Sequence, residues 1–393
     1  MIKIDMPSGA KRIISVLADN GYEAYIVGGC VRDALLGRVA NDFDITTSAL
    51  PSEVKELFSK TVDTGIKHGT VTVICEDGPY EVTTYRIDGE YRDMRHPVSV
   101  SYTDKLADDL LRRDFTVNAM AYNDSFGIAD VSGGMADLAA GVIRAVGDAS
   151  VRFTEDALRV LRGIRFASVL GFSIEESTAL AIREKAPNLC GVSAERIYTE
   201  WYKLVGGAGA YDIISEYADV IGVFLPEITP ECLPARESFL ALDARSRQIA
   251  LFASYPSSTF TAAMRRMKTD SVTATFGAAV IDAVSSLTDT SDTSLKLLLI
   301  KYGDEVALCA ANILECLGKI GTGTVASLND IIMQNFPRRA DMLAVRGYDI
   351  KALGILGKRI GEAISKMLTA LAEGRAENTR ESLLALIADM KNG

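Results

Sequence analysis

The spacing of apolar residues changes at about Gly147, and this change restricts the possible folds more than any other feature of the chain. Before Gly147, helix-like stretches alternate with short runs of β-branched or alternating residues, which predict strands. After it, nearly every stretch has the period of a helix. The 393-residue chain therefore predicts an α+β fold, in which one small sheet domain is followed by helical domains.

Three predicted strands in the first part can form one sheet, and two of them contain carboxylates. The strands are Asp42–Ile45, Thr70–Ile74 and Tyr80–Tyr85. Residues two apart in a strand point to the same side, so Asp42 and Asp44 are expected to share one face of the sheet. Glu81, on a neighbouring strand, is a weaker candidate for a third oxygen ligand. Taken alone, an Asp-x-Asp tripeptide is more often a solvated loop.

A glycine pair precedes these carboxylates, between the predicted strand Ala24–Val27 and a predicted helix. Gly28 and Gly29 allow backbone amides to approach a phosphate, and a helix N-terminus has partial positive charge. Arg32, one turn into the helix, can add a guanidinium to a triphosphate. Together with the paired carboxylates, this turn favours a site for phosphoryl or nucleotidyl transfer over a solvated loop.

Composition limits the metals and the partners that the chain can use. Because His68 and His96 are the only histidines, carboxylate oxygens must supply any metal site, which favours Mg²⁺, with Mn²⁺ possible. The six cysteines lack CxxC spacing and have apolar neighbours, which predicts buried structural thiols. The net charge of −10 disfavours a protein that coats nucleic acid, but it permits local basic patches such as Arg338-Arg339.

Hydropathy predicts no segment that spans a membrane. No apolar run approaches the roughly twenty residues that a spanning helix needs. The starting sequence MIKIDMPSGAKR also lacks the apolar region of a signal peptide. We therefore expect a cytoplasmic protein without a membrane partner.

A longer string around the glycine pair resembles the signature of an enzyme family. The sequence YIVGGCVRD at residues 25–33, followed by DFD at 42–44, is similar to the signature of class II tRNA nucleotidyltransferases and bacterial poly(A) polymerases. The resemblance continues, in order and spacing, through GIKHGTV (65–71), EVTTYR (81–86), RRDFTVNAMA (112–121) and EDALR (155–159). It implies a polymerase-β-like nucleotidyltransferase head at 1–147, a neck of nucleotide-recognition helices at 148–206, a helical body at 207–270 and a helical, tRNA-binding tail at 271–393.

The resemblance also implies roles for individual residues. Asp42 and Asp44 would be the catalytic carboxylates and would bind two Mg²⁺ ions. The residues implied in nucleotide binding are Gly28, Gly29, Arg32, Arg113, Asp114, Asp156, Arg159, Arg162 and Arg165. Among them, Arg113 would contact the phosphates or the ribose, and Asp114 would bind a ribose hydroxyl.

Base selection is assigned by the resemblance to Asp156 and Arg159. On a helical wheel these residues lie close to Glu155 and Arg162, opposite an apolar face. Such a polar face is ordinarily a solvated ladder of ion pairs. Adenine and cytosine, however, both place an exocyclic amine beside an unprotonated ring nitrogen, so a carboxylate that accepts and a guanidinium that donates can match either base.

The implied activity is template-independent addition of C and A nucleotides to the 3′ end of tRNA, from CTP and ATP, with release of pyrophosphate. Residues 88–97 resemble the flexible loop of members that complete the A addition, and residues 346–350 and 378–381 resemble the tail of CCA-adding members. A poly(A) polymerase with the same head and an enzyme that adds only A are alternatives. An inactive RNA-binding homologue is a third, disfavoured by intact Asp42, Asp44 and Arg113. No required protein partner is indicated.

Overall fold

The structure of the chain is a computed structural model that describes residues 3–40, 42–89 and 100–392. The chain forms two compact units, residues 1–226 and 227–393, called the first and the second unit below. The boundary between them lies inside the range predicted as the body, 207–270. The finer division into head, neck, body and tail stays a prediction.

The strands that the structure describes all lie in the first unit. They are β1 (Ala24–Val27), β2 (Asp44–Thr47), β3 (Thr61–Gly65), β4 (Thr70–Cys75), β5 (Gly78–Thr84), β6 (Arg86–Asp88), β7 (Val100–Tyr102), β8 (Met120–Asn123), β9 (Gly127–Asp130), β10 (Val142–Ile143) and β11 (Ser173–Ile174). A seven-stranded sheet has the order β3-β4-β5-β2-β1-β8-β9, and β6–β7 and β10–β11 form separate two-stranded ribbons. The predicted α+β fold is confirmed, with β11 as a short strand in a range predicted to be helical.

Helices follow and flank this sheet. In the first unit they are α1 (Ser8–Asp19), α2 (Gly29–Leu35), α3 (Pro51–Leu57), α4 (Leu106–Leu111), α5 (Gly134–Ala140), α6 (Ala149–Glu155), α7 (Leu158–Leu170), α8 (Glu176–Lys185), α9 (Ala194–Val205), α10 (Ala210–Glu216) and α11 (Ala218–Ile221). In the second unit they are α12 (Arg236–Ala241), α13 (Ala244–Ala250), α14 (Ser257–Arg266), α15 (Ser271–Ser286), α16 (Asp292–Tyr302), α17 (Asp304–Cys316), α18 (Thr324–Met333), α19 (Gly347–Ala352), α20 (Arg359–Ala372) and α21 (Arg380–Leu386). Short 3₁₀ helices occur at Ile66–His68, Thr116–Asn118, Ala186–Gly191, Pro230–Cys232, Ala340–Met342 and Ala388–Asn392.

The central strand of the sheet is β2, which pairs antiparallel with β1 and parallel with β5. Ile45 lies opposite Val82 in the parallel pair, so the preceding residues, Asp44 and Glu81, are neighbours on the two strands. Ile45 and Val82 are buried. Because side chains alternate along a strand, the apolar pair lies on one face of the sheet and the two carboxylates lie on the other.

The turn between β4 and β5 holds the start of α1. Pro7 precedes this helix and has no side chain that can cap it. Instead, Oδ2 of Asp77 accepts hydrogen bonds from the backbone N–H of Gly9 (2.8 Å) and the hydroxyl of Ser8 (2.9 Å). A Cβ at Gly9 would lie only 2.3 Å from Oδ1 of Asp77, so this close approach requires glycine. Asp77 therefore acts as a remote N-cap.

The polar residues around Asp156 lie on two helices, because α6 ends at Glu155 and α7 begins at Leu158. Asp156 has extended backbone dihedrals, and its Oδ1 accepts a hydrogen bond from the N–H of Leu158 at 3.1 Å. The expectation of one continuous helix is wrong here, since a helical wheel does not record a side chain that caps the next helix. Helix α7 packs on α9, whose Trp201 is fully buried as core.

The described part of the second unit contains only helices and turns. Helices α14 and α15 pack closely at Gly277, where a Cβ would lie 2.1 Å from the ring of Phe260. Near the C-terminal end of the chain, α19, α20 and α21 share an apolar core. Its buried residues are Leu343, Val345, Ile350, Ile355, Ala363, Met367, Leu368, Leu371, Leu383 and Ile387. This unit is thus stabilised mainly by apolar burial.

Arg338 and Arg339, which the sequence predicts as one basic patch, differ in their exposure to solvent. Nε and Nη2 of Arg338 donate to both carboxylate oxygens of Asp304, at 2.5 and 2.7 Å, and the arginine is buried. Arg339 keeps 65% of its side chain exposed and contacts Asp341 at 3.3 Å. The prediction of a two-arginine patch is therefore wrong for Arg338, which links the start of α17 to the segment after α18.

Two other expectations concern the whole chain. All six cysteines are free, and the prediction of buried thiols is confirmed for Cys30, Cys309 and Cys316. It is wrong for Cys190, which is exposed, and Cys75 and Cys232 are only partly buried. Within the described ranges, no helix has both the length and the apolar character that crossing a membrane requires.

Candidate active site

Four carboxylates line one cavity of about 870 Å³ beside β2 and β5: Asp77, which caps α1, and the predicted site residues Asp42, Asp44 and Glu81. The lining residues are Pro7, Ala40, Asp42, Phe43, Asp44, Thr64, Thr72, Asp77, Gly78, Pro79, Tyr80 and Glu81. Asp42 lies two residues before β2 and not within it, so strand alternation is not what places it beside Asp44. Both aspartates nevertheless line the same cavity, and Glu81 joins them.

These carboxylates repel one another. Burial raises the pKa of Asp44, Arg113 opposes that shift, and Asp42 adds to it. Burial also raises the pKa of Glu81, and Asp44 and Asp42 raise it further. A bound divalent cation would remove this repulsion, and oxygen donors suit Mg²⁺ or Mn²⁺.

The fit to a metal rests on this charge and chemistry. Among the residues that the structure describes, no group of three or more His, Cys, Asp or Glu side chains is already arranged to hold a metal ion. The adjacent, mutually destabilised carboxylates are the residues that would bind one, with Asp42 and Asp44 as the ligands and Glu81 beside them.

The glycine turn brings an arginine against the backbone at the edge of this site. Gly28 has φ +83°, in the left-handed region, and a Cβ on it would lie 3.3 Å from Nη1 of Arg113. Its N–H donates to the carbonyl of Met120 (3.0 Å), and its carbonyl accepts from the N–H of Arg32 (3.1 Å) at the start of α2. Glycine is therefore required both by the backbone conformation and by the arginine.

One hydrogen-bond donor of Arg113 has no partner among the described residues. Its Nη2 donates to Oδ2 of Asp109 at 3.1 Å, while its Nε is buried and has no partner among the described residues. Arg113 is also the group that lowers the pKa of Asp44. An unsatisfied buried N–H beside a carboxylate cavity is a ready donor for an anionic ligand, which fits the predicted contact of Arg113 with a nucleotide.

Asp109 is a site residue that the motifs did not single out. Its side chain is fully buried, and it accepts hydrogen bonds from Arg112 (2.7 Å), Arg113 (3.1 Å) and the hydroxyl of Thr46 (3.2 Å). Burial would raise the pKa of Asp109, but Arg113 and Arg112 outweigh burial and lower it. Asp109 thus connects Arg113 to β2, two residues from Asp44.

Arg32 is buried and already paired. Nε and Nη2 donate to the two oxygens of Asp33 at 2.9 and 3.0 Å, and Nη1 donates to Oδ1 of Asn118 at 2.6 Å. The structure therefore places Arg32 beside the glycine turn, as predicted, but within a network that the motif alone does not reveal. Gly29 is the first residue of α2, and a Cβ added to it would lie 3.7 Å from Nη2 of Arg32.

Asp114, which is buried, forms an ion pair with the half-buried Arg162. Nε and Nη2 of Arg162 donate to Oδ2 of Asp114 at 2.8 and 2.5 Å, and the N–H of Phe115 donates to Oδ1 at 2.8 Å. Burial would raise the pKa of Asp114, but Arg162, Arg159 and the Phe115 N–H hold it down at about 2. Asp114 is therefore ionised at neutral pH, and a ribose hydroxyl would have to share it with Arg162.

Asp156 and Arg159 lie at the junction of α6 and α7, where the backbone N–H of Arg159 donates to the carbonyl of Asp156 at 2.9 Å, but their side chains pair with other residues. Asp156 pairs with Arg196 of α9 at 3.1 Å. Arg159 donates from Nη1 to Glu155 at 2.7 Å and from Nη2 to the carbonyl of Arg112 at 3.3 Å. The Nε–H of Arg159 and the second lone pair of Oδ2 of Asp156 have no partner in the described part of the chain, so each side chain can still bind one edge of a base.

Arg165, the last arginine of the motif, is buried against α9. Its Nε donates to Oε2 of Glu200 at 2.7 Å, and Nη1 of Arg162 lies 4.0 Å from Oε1 of the same carboxylate. Arg196 and Glu200 of α9, which hold Asp156 and Arg165, are not among the predicted site residues. The i,i+4 spacing of Arg196 and Glu200 places both on one face of α9, and this spacing is the feature of the sequence that could have indicated their role.

The motif at residues 88–97 that resembles a flexible loop lies almost wholly outside the described residues. Of the other predicted site residues, the structure brings Gly28, Arg113, Asp42 and Asp44 to one location. The remaining charged ones lie in ion pairs, namely Arg32–Asp33, Asp114–Arg162, Asp156–Arg196, Arg159–Glu155 and Arg165–Glu200, and Gly29 begins α2.

Two family models match the chain. Residues 24–144 match a model described as the poly A polymerase head domain. Residues 171–230 match a model described as the probable RNA- and SrmB-binding site of polymerase A. The first match covers the sheet, the glycine turn and the carboxylates, and the second begins after α7.

Similar proteins include several CCA-adding enzymes of bacteria. The one from Enterococcus faecalis is 35% identical over 397 residues, which cover 96% of this chain and 94% of the relative. The one from Lactiplantibacillus plantarum is 49% identical over 210 residues, so the match spans about half of each protein, 53% of this chain and 52% of the relative. A solved structure, the Bacillus stearothermophilus CCA-adding enzyme in complex with CTP, is similar with a TM-score of 0.84 and 33% identity over 98% of both chains.

Proposed function

Since the chain belongs to the family of CCA-adding enzymes, as its motifs indicated, we propose that it adds C and A nucleotides to the 3′ end of tRNA without a template, using CTP and ATP. The observation that supports this most is the cavity in which Asp42, Asp44 and Glu81 lie together at the centre of the sheet, next to Arg113 and the Gly28 turn. The similar structure that contains CTP supports that nucleotide as one substrate.

The reaction joins the RNA 3′ oxygen to the α-phosphorus of the nucleotide. The bond between that phosphorus and the bridging oxygen breaks, pyrophosphate leaves, and the hydroxyl proton passes to solvent. Bound by Asp42 and Asp44, Mg²⁺ ions would lower the pKa of the attacking hydroxyl and neutralise the leaving pyrophosphate. Arg113 would donate its free Nε–H to the phosphates, and the absence of a Cβ at Gly28 leaves the backbone open beside it.

Base selection would use the side chains at the junction of α6 and α7. Asp156 would accept from the exocyclic amine of cytosine or adenine, and Arg159 would donate to the neighbouring ring nitrogen. Uracil and guanine present a carbonyl and an N–H at those positions, which leaves both protein groups mismatched. Arg196 would hold Asp156 in place from α9.

A poly(A) polymerase is the second candidate, because the descriptions of both matching family models name such a polymerase. The match to the Enterococcus faecalis enzyme extends over nearly the whole chain, including the second unit, and this favours CCA addition. An enzyme that adds only A shares the same site, and an inactive homologue would not need the carboxylates and Arg113 together.

One assay separates these functions. The full chain is incubated with Mg²⁺ and three RNAs, namely tRNA lacking CCA, tRNA ending in CC, and an unstructured RNA, with each labelled NTP alone and with CTP plus ATP. We expect C addition from CTP alone, A addition to the CC-ended tRNA, completion to CCA with both, and pyrophosphate released in equal amount. EDTA should abolish incorporation, and added Mg²⁺ or Mn²⁺ should restore it.

Each rival has its own outcome in this assay. Long A tails on the unstructured RNA would indicate a poly(A) polymerase. Extension of only the CC-ended tRNA would indicate an A-adding enzyme. Binding of tRNA without any incorporation would indicate an inactive homologue, and incorporation that persists in EDTA would contradict the metal assignment.

A further inference from the structure

Phe166, on α7, has three guanidinium groups around its ring. Cζ of Arg165 lies 3.4 Å from the ring centroid, and Cζ of Arg32 and of Arg162 each lie 5.2 Å from it. All three distances are within the roughly 6 Å range over which a cation is attracted to an aromatic ring. The ring is only 5% exposed. Three arginines predicted to bind the nucleotide therefore meet at one phenylalanine that no motif assigned a role.

Cations this close repel one another, and the structure compensates each with a carboxylate. The pairs are Arg32–Asp33, Arg162–Asp114 and Arg165–Glu200. The compensation is incomplete at Arg165, because burial lowers its pKa and Arg162 lowers it further, although Glu200 opposes both. The ring of Phe166, 3.4 Å from Cζ of Arg165, is a further group that can stabilise the cluster.

An aromatic ring can stabilise a cation without occupying its hydrogen-bond donors. A carboxylate takes up N–H groups, whereas the negative face of a ring attracts the guanidinium as a whole. Arg165 shows the result, because its two Nη groups have no hydrogen-bond partner in the described residues while its Nε is bound by Glu200. Donors on this arginine thus remain for another anion.

The ring itself is held in place by a second aromatic residue. Phe115 is fully buried, directly follows Asp114, and meets Phe166 edge-on with centroids 5.8 Å apart and an interplanar angle of 72°. The position of the ring is therefore tied to the segment that contains Arg113 and Asp114. A shift of Phe166 would change the arginines and this segment together.

We propose that Phe166 is a positioning residue for nucleotide binding, whose ring holds Arg165 beside Arg32 and Arg162 and leaves the Nη groups of Arg165 for the phosphates of an incoming nucleoside triphosphate. The inference rests on the proposed function. Phe166 acts through the arginines and does not touch the nucleotide.

Fluorinated phenylalanines test this with little change in shape, because each fluorine makes the ring face less negative. The full chain is prepared with phenylalanine, 4-fluoro-, 3,4,5-trifluoro- or pentafluorophenylalanine at position 166, and KM, kcat and Tm are measured with CTP and ATP on tRNA acceptors. We expect KM for both nucleotides to rise stepwise, to about fivefold to thirtyfold for the pentafluoro ring, with a smaller change in kcat.

Phe153 is the matched control. It is also fully buried, and its ring centroid lies 6.3 Å from that of Phe115, but no described guanidinium lies over it. Fluorination at position 153 should leave KM unchanged. A flat KM series at position 166, or an equal rise at both positions, would overturn the role of the ring.

Ordinary substitutions provide a second readout. Phe166→Leu should raise KM as the pentafluoro ring does, and Phe166→Tyr, which keeps the aromatic face, should stay within about threefold of the native KM. Equal KM values for the two variants would contradict the proposal. If the native chain incorporates no nucleotide on any acceptor, the proposed function itself fails, whereas an active native chain with a flat series rejects only the role of Phe166.

Discussion

The two units of the chain differ in how they use buried charge. In the first unit, buried carboxylates such as Asp109, Asp114 and Glu200 contact several donors each, and these contacts connect α4, α7 and α9. In the second unit, ion pairs such as Arg245–Glu305 lie at the surface. Its buried members of ion pairs, Arg338 and Asp349, each contact a single charged side chain. A helical unit can thus fold around an apolar core without such a network, so we infer that the first unit keeps its costly buried charges for chemistry.

The largest effect on nucleotide incorporation is expected from removing one charge at the centre of the sheet. Asp44→Asn should lower nucleotide incorporation by about a thousandfold or more, because metal binding needs the carboxylate, while Tm changes little. Single-turnover incorporation and thermal unfolding measure both effects. A variant with near-native turnover would contradict the assignment of Asp44.

Asp77 is the control for this change, since it lines the same cavity but caps α1. Asp77→Asn should keep incorporation within a few fold and change stability little, because an asparagine oxygen also accepts at a helix N-terminus, whereas Asp77→Ala should cost about 0.5–2 kcal/mol of stability. If Asp44→Asn and Asp77→Asn lost activity equally, the cavity and not the metal ligands would explain the loss.

The next effect concerns stability in the two units. Asp109→Asn should lower the free energy of unfolding by about 3–5 kcal/mol, because it removes a fully buried charge that pairs with two partly buried arginines, Arg112 and Arg113. Glu305→Gln in the second unit removes an exposed partner and should cost less than about 1 kcal/mol. Urea unfolding of both variants compares them directly. Similar costs would mean that the units do not differ in the way described.

Nucleotide choice should change when the junction of α6 and α7 is altered. Arg159→Ala and Asp156→Ala should each lower use of CTP and ATP by about tenfold to a hundredfold and relax rejection of UTP and GTP, since each removes one half of the base contact. Arg183→Ala, on the surface of α8, should change neither quantity. Steady-state incorporation of all four NTPs distinguishes the cases, and unaltered selectivity in both junction variants would place base selection elsewhere.

The smallest effect sharpens the role of the second unit in RNA binding. Arg339→Ala should weaken tRNA binding a few fold and reduce the slope of log K against log salt by about 1, if its exposed guanidinium contacts a phosphate. Arg338→Ala should instead lower stability by about 1–3 kcal/mol, because it unpairs Asp304 and exposes a buried position. An unchanged salt slope for Arg339→Ala would exclude that arginine from the RNA surface.

Local patterns were enough to indicate four of the seven strands of the sheet, β1, β2, β4 and β5, and the glycine turn. The predicted strand Ala24–Val27 coincides with β1, because all four of its residues are apolar or aromatic and a glycine pair ends it. The predicted strand at Asp42–Ile45 begins two residues too early, since the start of β2 depends on pairing with β1 and β5, which local alternation does not contain.

The residues missed from sequence are those whose partners are distant along the chain. Asp156 was assigned to a helix face, yet it lies between two helices and pairs with Arg196, forty residues away. Asp109 looks like an ordinary acidic residue on a short helix, and only its burial against Thr46 and two arginines reveals its place in the site. Helix periodicity reports which face is apolar, but it does not report which charged groups meet.

The long sequence separations in the site have a consequence for how the protein is made. The N–H of Gly28 donates to the carbonyl of Met120, and Asp44 lies beside Glu81 in a parallel strand pair. Asp156 accepts a hydrogen bond from Arg196, which is forty residues further along the chain. Contacts of this kind form late in folding, because long loops must close first. The ribosome synthesises a chain from its N-terminus, so the strands that contain the carboxylates are made long before α9. The site therefore cannot be completed during translation until about two hundred residues have emerged, as α9 ends at Val205.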